Sequence, residues 1–410
     1  RYMTKVERVF KKQTGLASGS IDRRPSRSLP TPVPFAFMWY ITSLTNVLSD
    51  HLGWHRARLK FMARFASALL RMRSGDLWKI ALALKAGVET GSNHRRIQRF
   101  LSEYDIDFTM LGRLLVHLLP QDPPFEVVVD RTEWEFGETP VNVLVMGIVH
   151  EQMAFPVAWT ALPSGGGSGT DDHICVLERF LQAVDPSLIE VVTADREFIS
   201  AGWLKRLQDE EIPFSIRIRI DRQIGDAPDG AALAARTYAR RVPLDEERAL
   251  DKERYLFGDD GETTVPVRVV VRRIGSADAE DPFLILATSD IDPGEASAFY
   301  RRRWSIETMF AALKSRGFDL EETNVTEPVR IESLLGLLAL SFTWCRLVGE
   351  QRVRQEGPPP RKPHGRRQWS VFRYGLDALT SALSTPEPQD RTFFWSLSGL
   401  RSPTAWAGCM

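Results

Sequence analysis

At Pro123-Pro124 the hydrophobic period of the chain changes, and the stretch that follows limits the possible folds more than any other feature. Residues 125–130 (FEVVVD), 141–149 (VNVLVMGIV) and 155–162 (FPVAWTAL) are apolar, largely β-branched runs separated by Gly137, Pro140 and polar turns. That pattern predicts three successive antiparallel strands. A Gly/Ser-rich connector at 164–169 then leads to a helical pattern over 171–183, with Ile174, Leu177 and Phe180 on one side. No Gly-Lys-Ser/Thr follows it, so it reads as a flexible connector and not a phosphate loop. Residues 188–195 (LIEVVTAD) make a fourth strand, 200–211 a helix and 213–220 (PFSIRIRI) a fifth strand. Helices alternating with strands in this way call for a mixed sheet with helices packed on it.

Three antiparallel strands, then helix, strand, helix, strand, is the order of the α/β ribonuclease-H-like fold, assigned here to residues 121–320. Asp/Gly turns and further strands at 265–273 (VPVRVVVRR) and 283–288 interrupt that order, and residues 221–290 read as a β-rich insertion. Upstream, the Pro- and Arg-rich stretch 1–35 reads as a flexible basic arm. Residues 36–120 read as a helical domain, with Phe61, Phe65, Leu69 and Met72 recurring at helical spacing. Within it, a short helix at 80–86, a turn at 87–92 and a second helix at 93–101 (NHRRIQRFL) suggest a helix-turn-helix. The second helix presents Arg95, Arg96 and Arg99, with His94 near its start, where a recognition helix meets DNA. A helical region and tail, 321–410, closes the chain.

Net charge is zero but unevenly spread: residues 1–120 hold 20 basic and 8 acidic side chains, 121–320 hold 22 and 36, and 321–410 hold 11 and 9. A basic unit joined to an acidic one suits a chain that grips a polyanion with the first and gathers carboxylates in the second, as for binding cations. Three scattered cysteines make no disulfide framework and show no metal-ligand spacing. The longest apolar run, around Leu334–Leu340, is shorter than the ~20 residues that cross a bilayer. A cytoplasmic protein without membrane association is expected.

Two acids stand at the ends of apolar strands, Asp130 closing FEVVVD and Asp195 closing VVTAD. Carboxylates so placed are firmly aimed and costly to desolvate unless paired or metal-bound. A third element is YRRRWSIETMFAALK, where Tyr300, Arg303, Glu307 and Lys314 fall at about 0°, 300°, 340° and 320° on an α-helix of ~100° per residue. They share one polar stripe, opposite the apolar face of Ile306, Met309 and Leu313. An i, i+4 salt bridge between Arg303 and Glu307 would also account for that pair.

The spacing Tyr-x2-Arg-x3-Glu-x6-Lys resembles the signature of DDE transposases of the insertion-sequence-4 type. The resemblance extends to Asp130-Arg131-Thr132, Asp195-Arg196-Glu197-Phe198, Gly317-Phe318 and Leu320-Glu321-Glu322-Thr323. It also takes in His364-Gly365-Arg366-Arg367, Ser370, Phe372-Arg373 and Gly375-Leu376, spanning residues 60–385 in all. It implies that Asp130, Asp195 and Glu307 are the catalytic, metal-binding triad for two Mg²⁺ ions, for which Mn²⁺ can substitute. Tyr300, Arg303 and Lys314 would then hold transposon-end DNA, with Trp304 stacking near the end. The partners implied are double-stranded DNA, as terminal inverted repeats and as target, and a second copy of the chain on the paired ends.

Glu133 and Asn324 depart from the family's commoner Asn and His. Residues 204–303 contain no Trp to hold a flipped base, although Tyr238, Tyr255 or Phe257 could substitute, so hairpin and non-hairpin excision both stay open. A DNA-binding protein that has lost catalysis and a structure-specific nuclease of the same fold are the alternatives.

Overall fold

A computed structural model describes residues 35–401 apart from 85–86, 163–164, 259–261, 276–280, 364, 366 and 385–390. Apart from Phe35, which starts the first helix, the basic arm therefore lies outside the described residues, as do Ser164 of the connector and His364 and Arg366 of the C-terminal motif.

Five helices precede the sheet: α1 (Phe35–His51), α2 (Arg56–Met72), α3 (Leu77–Ala83), α4 (Thr90–Glu103) and α5 (Phe108–His117). Their starts follow from local chemistry. Asp76 accepts from the Trp78 and Lys79 amides to cap α3, and Asp107 accepts from the Met110 amide to cap α5. The helix expected at 93–101 begins three residues earlier, at Thr90. Asn93, buried, donates from Nδ2 to the Ala81 carbonyl at 3.3 Å and fixes α4 against α3.

The sheet strands are β1 (Phe125–Phe136), β2 (Thr139–His150), β3 (Met153–Leu162), β4 (Ile189–Ala194), β5 (Phe214–Arg217), β6 (Gln223–Gly225), β7 (Ala232–Ala234), β8 (Glu247–Ala249), β9 (Arg254–Phe257), β10 (Thr264–Arg273) and β11 (Phe283–Ser289). Among the described residues they form one sheet in the order β3-β2-β1-β4-β5-β11-β10-β9-β6-β7, with β8 on β10. The pairs β1–β4 and β4–β5 are parallel and β1–β2–β3 are antiparallel, as the strand order predicts. Helix α6 (Thr170–Leu181) lies between β3 and β4, and α7 (Ala201–Asp209), capped by Ser200, between β4 and β5.

The insertion joins the core sheet: β11 adds antiparallel to β5, pairing Ser289 with Phe214 and Leu286 with Arg217, so insertion and core share backbone hydrogen bonds. One expectation is revised. Strand β1 does not stop at Asp130; it continues six residues further along β2. From Thr132 to Glu135 its side chains alternate buried and exposed, which keeps one face in the core.

After the sheet come α9 (Ala296–Arg302), α10 (Trp304–Leu313), α11 (Pro328–Glu356), α12 (Val371–Ser384) and α13 (Arg391–Arg401), with a single helical turn, α8 (Arg236–Ala239), inside the insertion. Helix α11 exceeds the apolar length expected from the sequence and is long and apolar enough to cross a membrane, yet its apolar window is 94% buried inside the protein. It is the central core helix. Glu332 on α11 accepts from the Ala161 amide and the Thr160 hydroxyl and so covers the exposed edge of β3. The N- and C-terminal helices share one core: Tyr40 of α1 stacks on Phe393 of α13, ring centroids 3.9 Å apart. Gly349 and Gly375 let α11 and α12 cross so closely that a Cβ at either would collide with the other helix's side, at the Val371 or the Cys345 carbonyl.

Candidate active site

The register of two parallel strands sets the site. Their last paired residues are Val129 of β1 and Ala194 of β4, so Asp130 and Asp195 follow side by side on strands about 4.8 Å apart. On the β4 side the ladder ends there, because the chain turns into a short 3-10 helix at Arg196–Phe198. Two carboxylates thus stand just past the end of the β1–β4 ladder, Asp195 at the end of β4 and Asp130 within β1, still paired with Val145 of β2.

The signature segment supplies the rest, although it is not the single helix that the periodicity predicts. Arg303 forms the junction of α9 and α10, with backbone bonds to Tyr300 and from Ile306 spanning three residues, and Lys314 lies beyond α10 as its C-cap. Tyr300, Arg303 and Glu307 nevertheless keep one side. The Tyr300 hydroxyl donates to Asp195 Oδ1 at 2.9 Å. Arg303 Nη1 donates to Asp130 Oδ2 at 2.6 Å and lies 3.5 Å from Glu307 Oε1. One guanidinium nitrogen therefore joins the first and third acids, and Tyr300 joins the same segment to the second.

Lys314 donates to the Glu133 carbonyl at 2.8 Å and pairs with Glu321 at 3.0 Å, so it is tied internally, above the Trp134 ring. Trp304 is 66% exposed beside Arg303. Arg95, Arg96 and Arg99 lie exposed on α4, and among the described residues no hydrogen bond or ion pair joins them to the three acids.

The acids differ electrostatically. Burial pushes the Asp130 carboxyl up to about 6, against the pull of Arg303 and the Arg131 amide, with Glu307 and Glu197 adding to the rise. Burial also acts upward on Asp195, but the Arg196 amide, Tyr300, Arg303 and Arg217 together hold it below the usual carboxylate range. Burial and the neighbouring Asp195 raise the Tyr300 phenol to about 12, so it remains a hydrogen-bond donor.

Sequence reasoning missed the surrounding ion pairs. Glu197 pairs with Arg131 at 3.3 Å, Arg217 lies 3.9 Å from Asp195, and Asp281 joins Arg217 at 2.7 Å to Arg196 at 3.2 Å. Alternation in SIRIRI marks Arg217 as strand-borne, but nothing in the sequence marks Asp281 as its partner. On one side of the acids, Arg217, Arg272, Arg301, Arg303 and Trp304 line a cleft of about 390 Å³. Of the aromatic side chains expected to serve the insertion, Phe257 lines a second cleft with Arg196 and Glu197, while Tyr238 is bound to Asp226.

A separate group of His150, Glu151 and Glu350 has metal-ligating spacing. It lies toward the opposite end of β1, since His150 is five residues beyond Val145, the partner of Asp130. Arg346 reaches Glu350 at 2.6 Å and Glu151 at 3.6 Å, so the protein itself already neutralises those acids. Asp130, Asp195 and Glu307 offer only carboxylate oxygens, the donor type that hard divalent ions take, and Arg303 contacts two of them, Asp130 and Glu307.

Residues 127–344, more than half of the chain, match the transposase DDE domain family. The chain belongs to this family. The matched interval of the DDE transposase domain contains all three acids and the signature segment. Membership implies a divalent-metal-dependent nuclease or transposase chemistry and a DNA substrate. Among solved structures, the crystal structure of an endonuclease V from Bacillus subtilis is similar at 12% identity, over 62% of this chain and 94% of that one, with a TM-score of 0.21. At that score the likeness bears no weight. No curated protein matches.

Proposed function

We propose that this DDE domain protein is a transposase of the insertion-sequence-4 type, which binds the ends of its element, cuts them and joins the 3′-OH ends to target DNA. The observation that carries the reading is the β1–β4 register, which sets Asp130 beside Asp195 while Arg303 links Asp130 to Glu307. Asp130, Asp195 and Glu307 would together hold two Mg²⁺ or Mn²⁺ ions. When bound, such a pair activates the attacking oxygen and stabilises the leaving one.

The chain's own residues bind and orient. Tyr300 holds the Asp195 carboxylate in place, and the cationic cleft around Arg217, Arg301 and Arg303 draws in a phosphate of the element's end. Arg95, Arg96 and Arg99 on α4 contact the DNA further from the cut, and Lys314 and Trp304 flank it. Two copies assemble on paired ends in the cytoplasm, where the element resides.

The test is strand joining by the full chain, with Mg²⁺, on DNA carrying the inverted repeats that flank its gene. Appearance of covalent joints between the 3′-OH ends and a second DNA supports a transposase. Cutting without joining would make the protein a structure-specific nuclease instead.

A further inference from the structure

We infer that Arg303 is a built-in counter-cation of the carboxylate cluster: it competes with the divalent ions for Asp130 and Glu307 until a DNA phosphate draws it away. The inference rests on the reading of those acids as metal ligands and adds how their loading is controlled. Each aspartate already has protein donors. Asp130 Oδ1 accepts from the Arg131 amide at 2.8 Å and Oδ2 from Arg303 at 2.6 Å, while Asp195 Oδ1 accepts from the Arg196 amide and Tyr300. Of these donors, only Arg303 is a full cation on a side chain that rotates.

Its guanidinium lies between two of the three acids with 12% of the side chain exposed, so it fills the volume that a shared ion would need. A positive charge a few ångströms from a divalent ion in a partly desolvated site repels it strongly. Either the ion or this arginine position is occupied, and the two equilibria are linked.

The same side chain has somewhere to go. Arg303 also lines the cleft of about 390 Å³ whose other charged lining residues, Arg217, Arg272 and Arg301, are all cationic. A phosphate entering that cleft offers the guanidinium an anion outside the cluster. Coupling is reciprocal, so DNA that withdraws Arg303 must raise the affinity for metal, and metal must raise the affinity for DNA. A site wired this way stays poorly loaded, and therefore idle, until its substrate arrives.

Mn²⁺ binding to the full chain, followed by electron paramagnetic resonance at mildly alkaline pH, tests this without any activity readout. Arg303→Met, which keeps the stem but removes the charge, should bind Mn²⁺ about tenfold more tightly than the wild type. Arg303→Lys, which keeps the charge, should stay near wild type. Arg303→Gln replaces the Met variant if that one fails to fold. Duplex DNA, with its own bound Mn²⁺ subtracted, should tighten binding by the wild type and leave Arg303→Met unchanged. Equal or weaker binding by the neutral variants overturns the inference while leaving the metal site intact. If Mn²⁺ binds tightly but Asp130→Asn in the Arg303→Met background does not weaken it, the ions sit elsewhere and the proposed function fails with it.

Discussion

The Tyr300 hydroxyl donates to the Asp195 carboxylate at 2.9 Å across 105 positions of sequence. Through this bond α9 is anchored to the end of β4, and the second acid is held at one oxygen, the same oxygen that accepts from the Arg196 amide at 2.8 Å. The signature segment thus positions one acid, Asp195, with Tyr300 and carries another, Glu307, one turn beyond Arg303.

Tyr300→Phe removes that donor and little else. A hydrogen bond to a charged group contributes about 1.5–3 kcal/mol, so the variant should need roughly ten- to a hundredfold more Mg²⁺ for half-maximal DNA cleavage. Excess metal should restore most of the rate. A metal titration of cleavage checks it.

The pH dependence follows from Asp130. Because burial pushes its carboxyl up to about 6, a proton must leave it before a metal binds at any pH below that value. Apparent Mn²⁺ affinity should therefore fall by up to about tenfold per pH unit as pH drops through about 6. Asp195, held below the usual range, stays ionised over that interval and adds no further step there. Direct Mn²⁺ titrations across that pH range would show the bend near 6, and a bend nearer the ordinary carboxylate value would count against this account of Asp130.

How much of this is legible in the sequence depends on the kind of interaction. The runs FEVVVD and VVTAD announce Asp130 and Asp195, because a lone acid after a β-branched run is visible locally. The stripe of Tyr300, Arg303 and Glu307 is visible too, since it rests on helical periodicity. The register that sets Asp130 beside Asp195 is not, because parallel pairing is fixed by tertiary packing between distant segments. For the same reason the Asp281 bridge to Arg196 and Arg217 and the addition of β11 to β5 leave no local trace. They depend on partners more than 60 residues away for which no local pattern exists. The junction at Arg303 is hidden differently: the break falls inside an unbroken helical period, and the ion pairs that fix Arg303 reach back to Asp130, 173 positions earlier.

Gly375→Ala tests the helical core that holds the C-terminal half of the fold. The added methyl has no room beside the Cys345 carbonyl, and forced overpacking destabilises by ~1–3 kcal/mol or more. Thermal unfolding should show a melting temperature lowered by several degrees, or a chain that no longer folds.

Replacing Arg95, Arg96 and Arg99 together by Ala should leave the melting temperature nearly unchanged, since all three are exposed on α4. End binding should weaken, and its salt dependence should flatten by about one counterion for each phosphate that is no longer neutralised. Binding curves at several salt concentrations would reveal this, and an unaltered slope would place recognition on another surface.

The central claim is that Asp130, Asp195 and Glu307 act as one metal-holding set. The most direct measurement compares Mg²⁺-dependent cleavage with end binding in Asp130→Asn, Asp195→Asn and Glu307→Gln, each first shown to be folded by its thermal melt. Each variant should lose cleavage while binding end DNA nearly as the wild type does. A folded variant at any of the three positions that cuts DNA at the wild-type rate would contradict the account.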